Sequence, residues 1–451
     1  MTAVIRLSRV CIPLLPRSNM SVFAKATASR SVRAVFTGVA MVGVSALLLT
    51  GCASGGGTTP TDEASSAASG DAKPVTAGDR DLTLKIGTLL PQSGGLAFLG
   101  PPEEAGVQLA VNDINDANLG MTVEVIKRDS GDTTTDTATT SVTDLLSQDV
   151  SAIVGAASSG VSKTVIDQIT GAGVVQFSPA NTSAEFTDYA DKGLYFRTAP
   201  SDILQGEVLG TQIAEDGKST LGLIVLNDAY GTGLADTVTK TFEDAGGEVV
   251  ATSLFNEGET NFTSQISEVT AANPDAIALI TFDQAKIITP ALVGTGYPGD
   301  QLYFVDGNLS DYSADFAAGL IEGSKGTLPG LDVSTLGDFT TRLLEVDPAL
   351  KDYSYAAESY DAVMLIALAA YAANDTAGSA IAEYLRQVSG GTGDGTTVTD
   401  FTAGATDLAE GNQIDYDGFS GPITFDENGD PTEATIGVYE YNADNTYSRI
   451  N

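Results

Sequence analysis

The chain has 451 residues, of which 22 are basic and 59 acidic, with no histidine and two cysteines. A formal net charge of −37 argues against a nucleic-acid partner, because that binding rests on Lys and Arg neutralising phosphates. Without histidine the commonest general base and metal ligand is missing, and Ser-His and Cys-His nucleophile pairs are excluded.

Residues 1–51 carry six basic residues (Arg6, Arg9, Arg17, Lys25, Arg30 and Arg33), no acidic one, and then the apolar run 34–49. A charged head, a short apolar stretch and small residues before a cut are the signs of an export signal. The run is shorter than the roughly 20 residues a membrane span needs. Leu49-Thr50-Gly51-Cys52 resembles the bacterial lipobox, whose cysteine is acylated and becomes residue one of the mature chain. Met20 is a second candidate start, since residues 21–52 are a complete signal in themselves. Removing the signal leaves 16 basic against 59 acidic residues, a net of −43. Cys11 leaves with it and Cys52 takes the lipid, so the mature chain can form no disulfide. Residues 52–80, rich in Ser, Gly, Thr, Ala and Pro, read as a flexible linker.

From residue 81 strand and helix patterns alternate. Residues 82–86 alternate with period two, as a strand should, and Pro101-Pro102-Glu103-Glu104 opens a helix. Strands follow at 121–127, 152–154 and 174–177, with helices around 142–146 and 161–169 between them. Repeated units of this length imply parallel strands with helices on both faces. The pattern restarts after Pro200, with helices at 203–214, 232–244, 262–272 and 285–293. Strands alternate with them at 221–226, 249–255, 276–282 and 302–305. Two successive α/β blocks imply two lobes.

The last section has an amphipathic helix at 336–344, a long apolar helix at 355–373 and another helix at 381–388. Glu358 and Asp361 ahead of the apolar stretch mark the long helix as a core helix, not a membrane span. The glycine-rich loop 390–395 has no Lys-Ser/Thr after it to make a phosphate cradle. Residues 423–425 and 435–441 are expected to pair as strands around Asp426-Glu427-Asn428-Gly429-Asp430. That acidic turn lacks the spacing and twelfth-position glutamate of a calcium loop, and reads as a solvated hairpin turn.

Five segments, taken in order, resemble the leucine/isoleucine/valine-binding family of receptors for ABC importers. They are Ile86 to Gly94 (IGTLLPQSG), Val154 to Ser159, Ser178-Pro179-Ala180-Asn181-Thr182, Asn227-Asp228-Ala229-Tyr230-Gly231, and Ile423 to Gly429 after Ser420-Gly421-Pro422. The resemblance spans nearly all of residues 82–448. It implies the α/β, two-lobed type I periplasmic-binding fold, with three hinge crossings and a ligand in the cleft. The crossings would fall near Ala199-Pro200, near Pro329-Gly330, and between Gly411 and Gly421. Lobe one would be residues 81–200 with 330–415, and lobe two 201–329 with 416–451.

Such a site holds a zwitterion. The resemblance implies that Ser159 and Thr182 bind the carboxylate, while the Ala180 carbonyl and Thr182 hydroxyl face the ammonium. Tyr230 would reach from the second lobe, and Asp306 would supply negative charge where the family more often has glutamate. Ala157, Ser158, Leu99 (or its neighbour Phe98), Phe282 and Tyr355 match the side-chain pocket, whose apolar and aromatic walls favour an uncharged side chain. Read by themselves, Ser159 and Thr182 could be helix caps, Tyr230 a packing residue and Asp306 a turn residue. Neither Asp306 nor Thr182 is assigned to the core.

The expected function is a monomeric, lipid-anchored, extracytoplasmic receptor that delivers an amino acid to an ABC permease, with no cofactor, no metal and no catalysis. A sensory receptor of the same fold, reading amino acids or amides, is the first alternative. A hydrolase working through Ser or paired carboxylates is the second.

Overall fold

The computed structural model describes residues 72–332, 336–393 and 395–451; the signal, Cys52 and most of the expected linker lie outside them. The chain first lays down β1 (Leu82–Leu90), α1 (Gly100–Ala117), β2 (Met121–Asp129), α2 (Thr137–Ser147), β3 (Ala152–Gly155), α3 (Ser159–Gly171), β4 (Val175–Ser178) and β5 (Tyr195–Arg197). These strands make a parallel sheet in the order β2-β1-β3-β4-β5. A second series follows: α4 (Asp202–Glu215), β6 (Thr220–Leu226), α5 (Ala229–Asp244), β7 (Glu248–Phe255), α6 (Thr263–Ala271), β8 (Ala276–Ile280), α7 (Ala285–Gly294), β9 (Leu302–Phe304) and β10 (Lys325–Pro329). The chain then adds α8 (Asp338–Val346), α9 (Ala356–Ala373), α10 (Gly378–Val388), β11 (Thr396–Val398), α11 (Phe401–Glu410), β12 (Ile414–Gly418) and β13 (Gly421–Pro422). It closes with β14 (Ile436–Tyr441) and β15 (Tyr447–Arg449). The second sheet runs β15-β14-β10-β9-β8-β6-β7, parallel except where β14 joins β10 and β15.

Sequence explains the central elements. In β6 every residue from Leu221 to Leu226 is buried, as a parallel strand covered on both faces requires. In α9 Ala, Leu, Ile and Met dominate, with no Gly or Pro inside, and all but the last residue is buried. It is the core helix expected, and each large aliphatic side chain it buries stabilises by about 1.5–3 kcal/mol. Gly106 lets α1 lie against its start: a Cβ there would sit 2.2 Å from the Ala356 carbonyl oxygen. One apolar core gathers around α9, α1 and the five-stranded sheet, and a second around β6, β8 and β9.

Three expectations need correction. The linker ends sooner than residue 80. Lys73 exchanges backbone hydrogen bonds with the Gln387 amide, at 2.8 and 3.0 Å. Arg80 donates to the carbonyls of Tyr371, Gly78 and Thr76 while lying 4.9 Å over the Tyr371 ring. A short polar segment gives no local sign of this, because its partners lie some three hundred residues away.

Nor do residues 423–425 pair with 435–441. Ile436–Tyr441 pairs with β10 and β15, while the acidic turn closes its own hairpin through Thr432 N–H to Thr424 O at 2.8 Å. The third passage between the sheets therefore falls between Phe425 and Ile436, not between Gly411 and Gly421. Residues 416–425 stay with the first core. Phe425 packs edge-on to Phe177 and Phe196, and buried Asp361 takes the Tyr416 hydroxyl and the amides of Phe419 and Ser420. The other two passages fall at 198–201, between β5 and α4, and after Pro329, between β10 and α8.

Candidate functional site

Five strand ends converge on one narrow cavity. Its wall comes from the segments after β1 (Leu96, Leu99), β3 (Ala157, Ser158, Ser159), β4 (Ala180, Thr182), β8 (Phe282) and β9 (Asp306, Gly307). Tyr230 from the first turn of α5 and Tyr355 from the start of α9 complete it. In open α/β sheets the carboxyl ends of strands are where ligands bind, because loops and helix N-termini meet there. All ten residues expected at the site lie around this cavity, and Leu99 rather than Phe98 takes the wall position.

The capping alternative is resolved by geometry. Ser158, not Ser159, caps α3, its hydroxyl accepting from Val161 N–H at 3.2 Å. Ser159 is left free to accept the Ser183 N–H at 3.3 Å and to face the cavity. Ser183 caps the short turn at Ala184–Phe186 and Ser201 caps α4, so Thr182 has no capping task. The Thr182 carbonyl accepts the Asp202 N–H at 2.6 Å, fixing the loop to α4. Asn181 anchors the same loop from behind, donating to the carbonyls of Ala156 and Ala157 at 3.0 and 2.8 Å.

At the opposite wall Asp306 is fully buried and held by three side-chain donors. Tyr230 and Gln205 donate to Oδ1 at 2.6 and 3.0 Å, and Tyr355 to Oδ2 at 2.7 Å. Burial pushes the Asp306 carboxyl up, while these donors and the Gly307 N–H oppose the rise. Burial and then the Asp306 charge push the Tyr230 and Tyr355 hydroxyls well above their usual range, so both stay protonated donors. Tyr230 stacks on Phe282 at 5.5 Å and 18°. It is therefore both a packing residue and a polar contact. Asp306 is likewise part of the turn after β9 and, against expectation, is buried among the core residues.

Asp202 is a second buried carboxyl nearby. Neither of its oxygens has a well-formed hydrogen bond. Burial and then Asp306 raise its pKa well above the usual range, against the Thr182 hydroxyl and the Arg197 charge. Gln205, Leu96 and Gly307 also belong to the site and are not marked by the family resemblance. A signal for Asp202 and Gln205 existed in their place on the first turn of the helix after the Pro200 crossing.

The two sides are in contact across the cavity mouth. Ser183 Oγ donates to the Ala229 carbonyl at 2.9 Å, Thr133 N–H to Glu257 at 3.0 Å, and Asp283 N–H to the Gly95 carbonyl at 3.3 Å. The cleft is closed. Its chemistry is polarised: hydroxyls and the N-terminus of α3 at one end suit an anion, and the Asp306 carboxylate at the other suits a cation. Leu96, Leu99, Phe282 and Ala157 leave the remaining wall apolar.

A family model described as periplasmic binding protein matches residues 83–446. The chain is 29% identical over 355 residues to the chemotactic signal transduction system substrate-binding protein BasB of Halobacterium salinarum, covering 75% of this chain and 82% of that one. It is 27% identical to the leucine-, isoleucine-, valine-, threonine-, and alanine-binding protein of Pseudomonas aeruginosa, over 82% of this chain and 92% of that one. Among solved structures it resembles the branched-chain amino acid transporter substrate binding protein LivJ of Streptococcus pneumoniae in complex with isoleucine. There the TM-score is 0.66 at 24% identity, over 82% of this chain and 99% of that one. That likeness establishes the type I periplasmic-binding fold.

Proposed function

The chain belongs to the periplasmic binding protein family, and from that premise we propose that it is an extracytoplasmic receptor, lipid-anchored through Cys52, that captures an apolar amino acid and delivers it to an ABC permease. The observation that carries this reading is the polarity of the cavity. Asp306 faces the ammonium, the Ser159 and Thr182 hydroxyls face the carboxylate, and Leu96, Leu99 and Phe282 surround the side chain. The amino-acid ligands named for the Pseudomonas and Streptococcus proteins support the same class.

In this reading residues 81–200 with 330–435 act as one lobe and 201–329 with 436–451 as the other, and the ligand favours the closed form because both lobes contact it. The protein acts as a monomer and needs no cofactor or metal.

A thermal-shift screen against the twenty amino acids tests the ligand class. L-leucine, L-isoleucine or L-valine should raise the melting temperature, since ligand binding stabilises by RT ln(1 + [L]/Kd). No shift with any amino acid would remove the reading. Cys52→Ser should release the protein from the membrane fraction with leucine binding intact.

A sensory role is the second reading, favoured by the chemotactic relative in Halobacterium. A deletion strain separates the two: lost leucine uptake supports the importer, and lost leucine taxis with uptake intact supports the sensor.

A further inference from the structure

The acidic turn 426–430 packs against β5 as well as closing its own hairpin. Asp426 Oδ1 accepts the amides of Asn428 and Asp430 at 2.8 and 3.1 Å, which turns the Asp430 side chain inward. Gly429, at φ 80°, presses the turn onto β5. Its carbonyl accepts the Arg197 N–H at 3.2 Å, and a Cβ on it would lie 2.4 Å from the Tyr195 carbonyl oxygen. Asp430 then meets Arg197, whose side chain is fully buried, in a two-pronged pair: Nε to Oδ1 at 2.6 Å and Nη2 to Oδ2 at 2.9 Å.

The rest of the guanidinium faces the pocket loop. Nη1 donates to the carbonyls of Ser183 at 2.8 Å and Asn181 at 3.3 Å, the two residues that flank Thr182. Nη2 also reaches the Thr187 hydroxyl at 3.2 Å, and that hydroxyl donates to Asp430 Oδ2 at 2.5 Å. All five N–H donors of the arginine are thus occupied, a geometry that a lysine could not reproduce.

We propose that the Arg197–Asp430 pair is a positioning device for the ligand pocket, holding the 180–183 loop so that the Ala180 carbonyl and the Thr182 hydroxyl face the ligand. The proposal deepens the amino-acid reading of the cavity and rests on it for its ligand arm only. Its physical basis is that a buried guanidinium deprived of its carboxylate is an uncompensated charge, which structure nearby must shift to satisfy. The acceptors that remain to it include the loop carbonyls themselves, and the charge of buried Asp202 also acts on the guanidinium. Asp430 touches no ligand; it acts through Arg197.

The test uses the full chain carrying Asp430→Asn. In the ligand-free protein, hydrogen exchange at the amides of Asn181, Thr182 and Ser183 should quicken about tenfold or more, while β3 amides stay as in the wild type. Affinity for L-leucine should fall about tenfold or more, with partial recovery in Asp430→Glu. A cycle with Thr182→Ala should show losses less than additive, because both changes act through Thr182. A general structural staple would give additive losses and exchange that rises evenly across the sheet, and either result overturns the proposal. So does unchanged exchange at 181–183. If Asp430→Asn fails to fold, Thr187→Val weakens the pair while keeping both charges, and should give the same pattern at about threefold. Should L-leucine not bind the wild type, the ligand reading fails by itself, and the exchange arm still decides the positioning role.

Discussion

Asp306 at the cavity and the Glu103–Glu358 pair beside the crossings are similarly buried, yet they are furnished differently. Asp306 has three side-chain donors converging on it. Glu103 is fully buried with no hydrogen-bond partner on either oxygen. Burial first, then the charges of Glu104 and Glu358, push its pKa well above the ordinary range. Glu358 is pushed up to about 8, mainly by burial. The difference teaches which acid is ready to be an anion. A buried carboxyl supplied with donors can carry charge for a ligand, whereas one without donors is held as the neutral acid. The second corner is also placed to matter. Two crossings pass it, because Glu358 O accepts the Thr198 hydroxyl at 3.0 Å and a Cβ on Gly330 would sit 2.4 Å from Glu358 Oε1.

The largest expected effect breaks the comparison at Glu358. Its folded pKa of about 8 lies above its unfolded value of 4.5, so the stability it contributes as a neutral acid is complete below about pH 4.5. That contribution is lost as pH rises toward 8, because the unfolded chain ionises first. At about 1.4 kcal/mol per pKa unit, the loss reaches at most about 5 kcal/mol. Glu103, Asp361, Gly330 and the Thr198 hydroxyl surround this group. In urea titrations from pH 5 to 8, Glu358→Gln should gain on the wild type as pH rises. Parallel curves would mean that Glu358 is already ionised in the folded protein.

Asp306→Ala comes next. It should cost about 2–5 kcal/mol of L-leucine affinity, since the ligand ammonium loses its buried counter-charge. It should also lower the ligand-free melting temperature, because the Tyr230 and Tyr355 hydroxyls are left as buried donors without this acceptor, about 1–3 kcal/mol together, whereas Gln205 keeps Thr327. Calorimetry and a melting curve read the two losses separately. Equal affinity in mutant and wild type would take Asp306 out of the site.

Tyr355→Phe sharpens the contrast most gently. It removes one donor of three and keeps the ring in the cavity wall. Affinity for L-leucine should drop by about 1.5 kcal/mol, near tenfold, with little change at Glu358 in the pH titration. A loss as large as that of Asp306→Ala would mean that the tyrosine, not the carboxylate, carries the ammonium contact.

Much of the molecule was legible before its structure. The period-two and period-3.6 patterns are local, so strands such as 221–226 and helices such as α4 could be located within a residue or two. β5, β10, β11, β12 and α11 are not legible in this way, because three- to five-residue strands and a short helix carry little pattern. The acidic turn was misplaced for a related reason. Its hairpin is local, but whether Asp430 faces water or Arg197 depends on a residue 233 positions away.

The sequence by itself determined which side chains stand at strand ends. The family resemblance marks Ser159, Thr182, Tyr230 and Asp306, and each stands just past the end of a strand. Only the tertiary structure decided what each acid does there. Gln205 and Tyr355 reach Asp306 across 101 and 49 residues, and nothing reaches Glu103. The protonation of a buried carboxyl is set by how many donors converge on it in space, and the local sequence carries no record of that number.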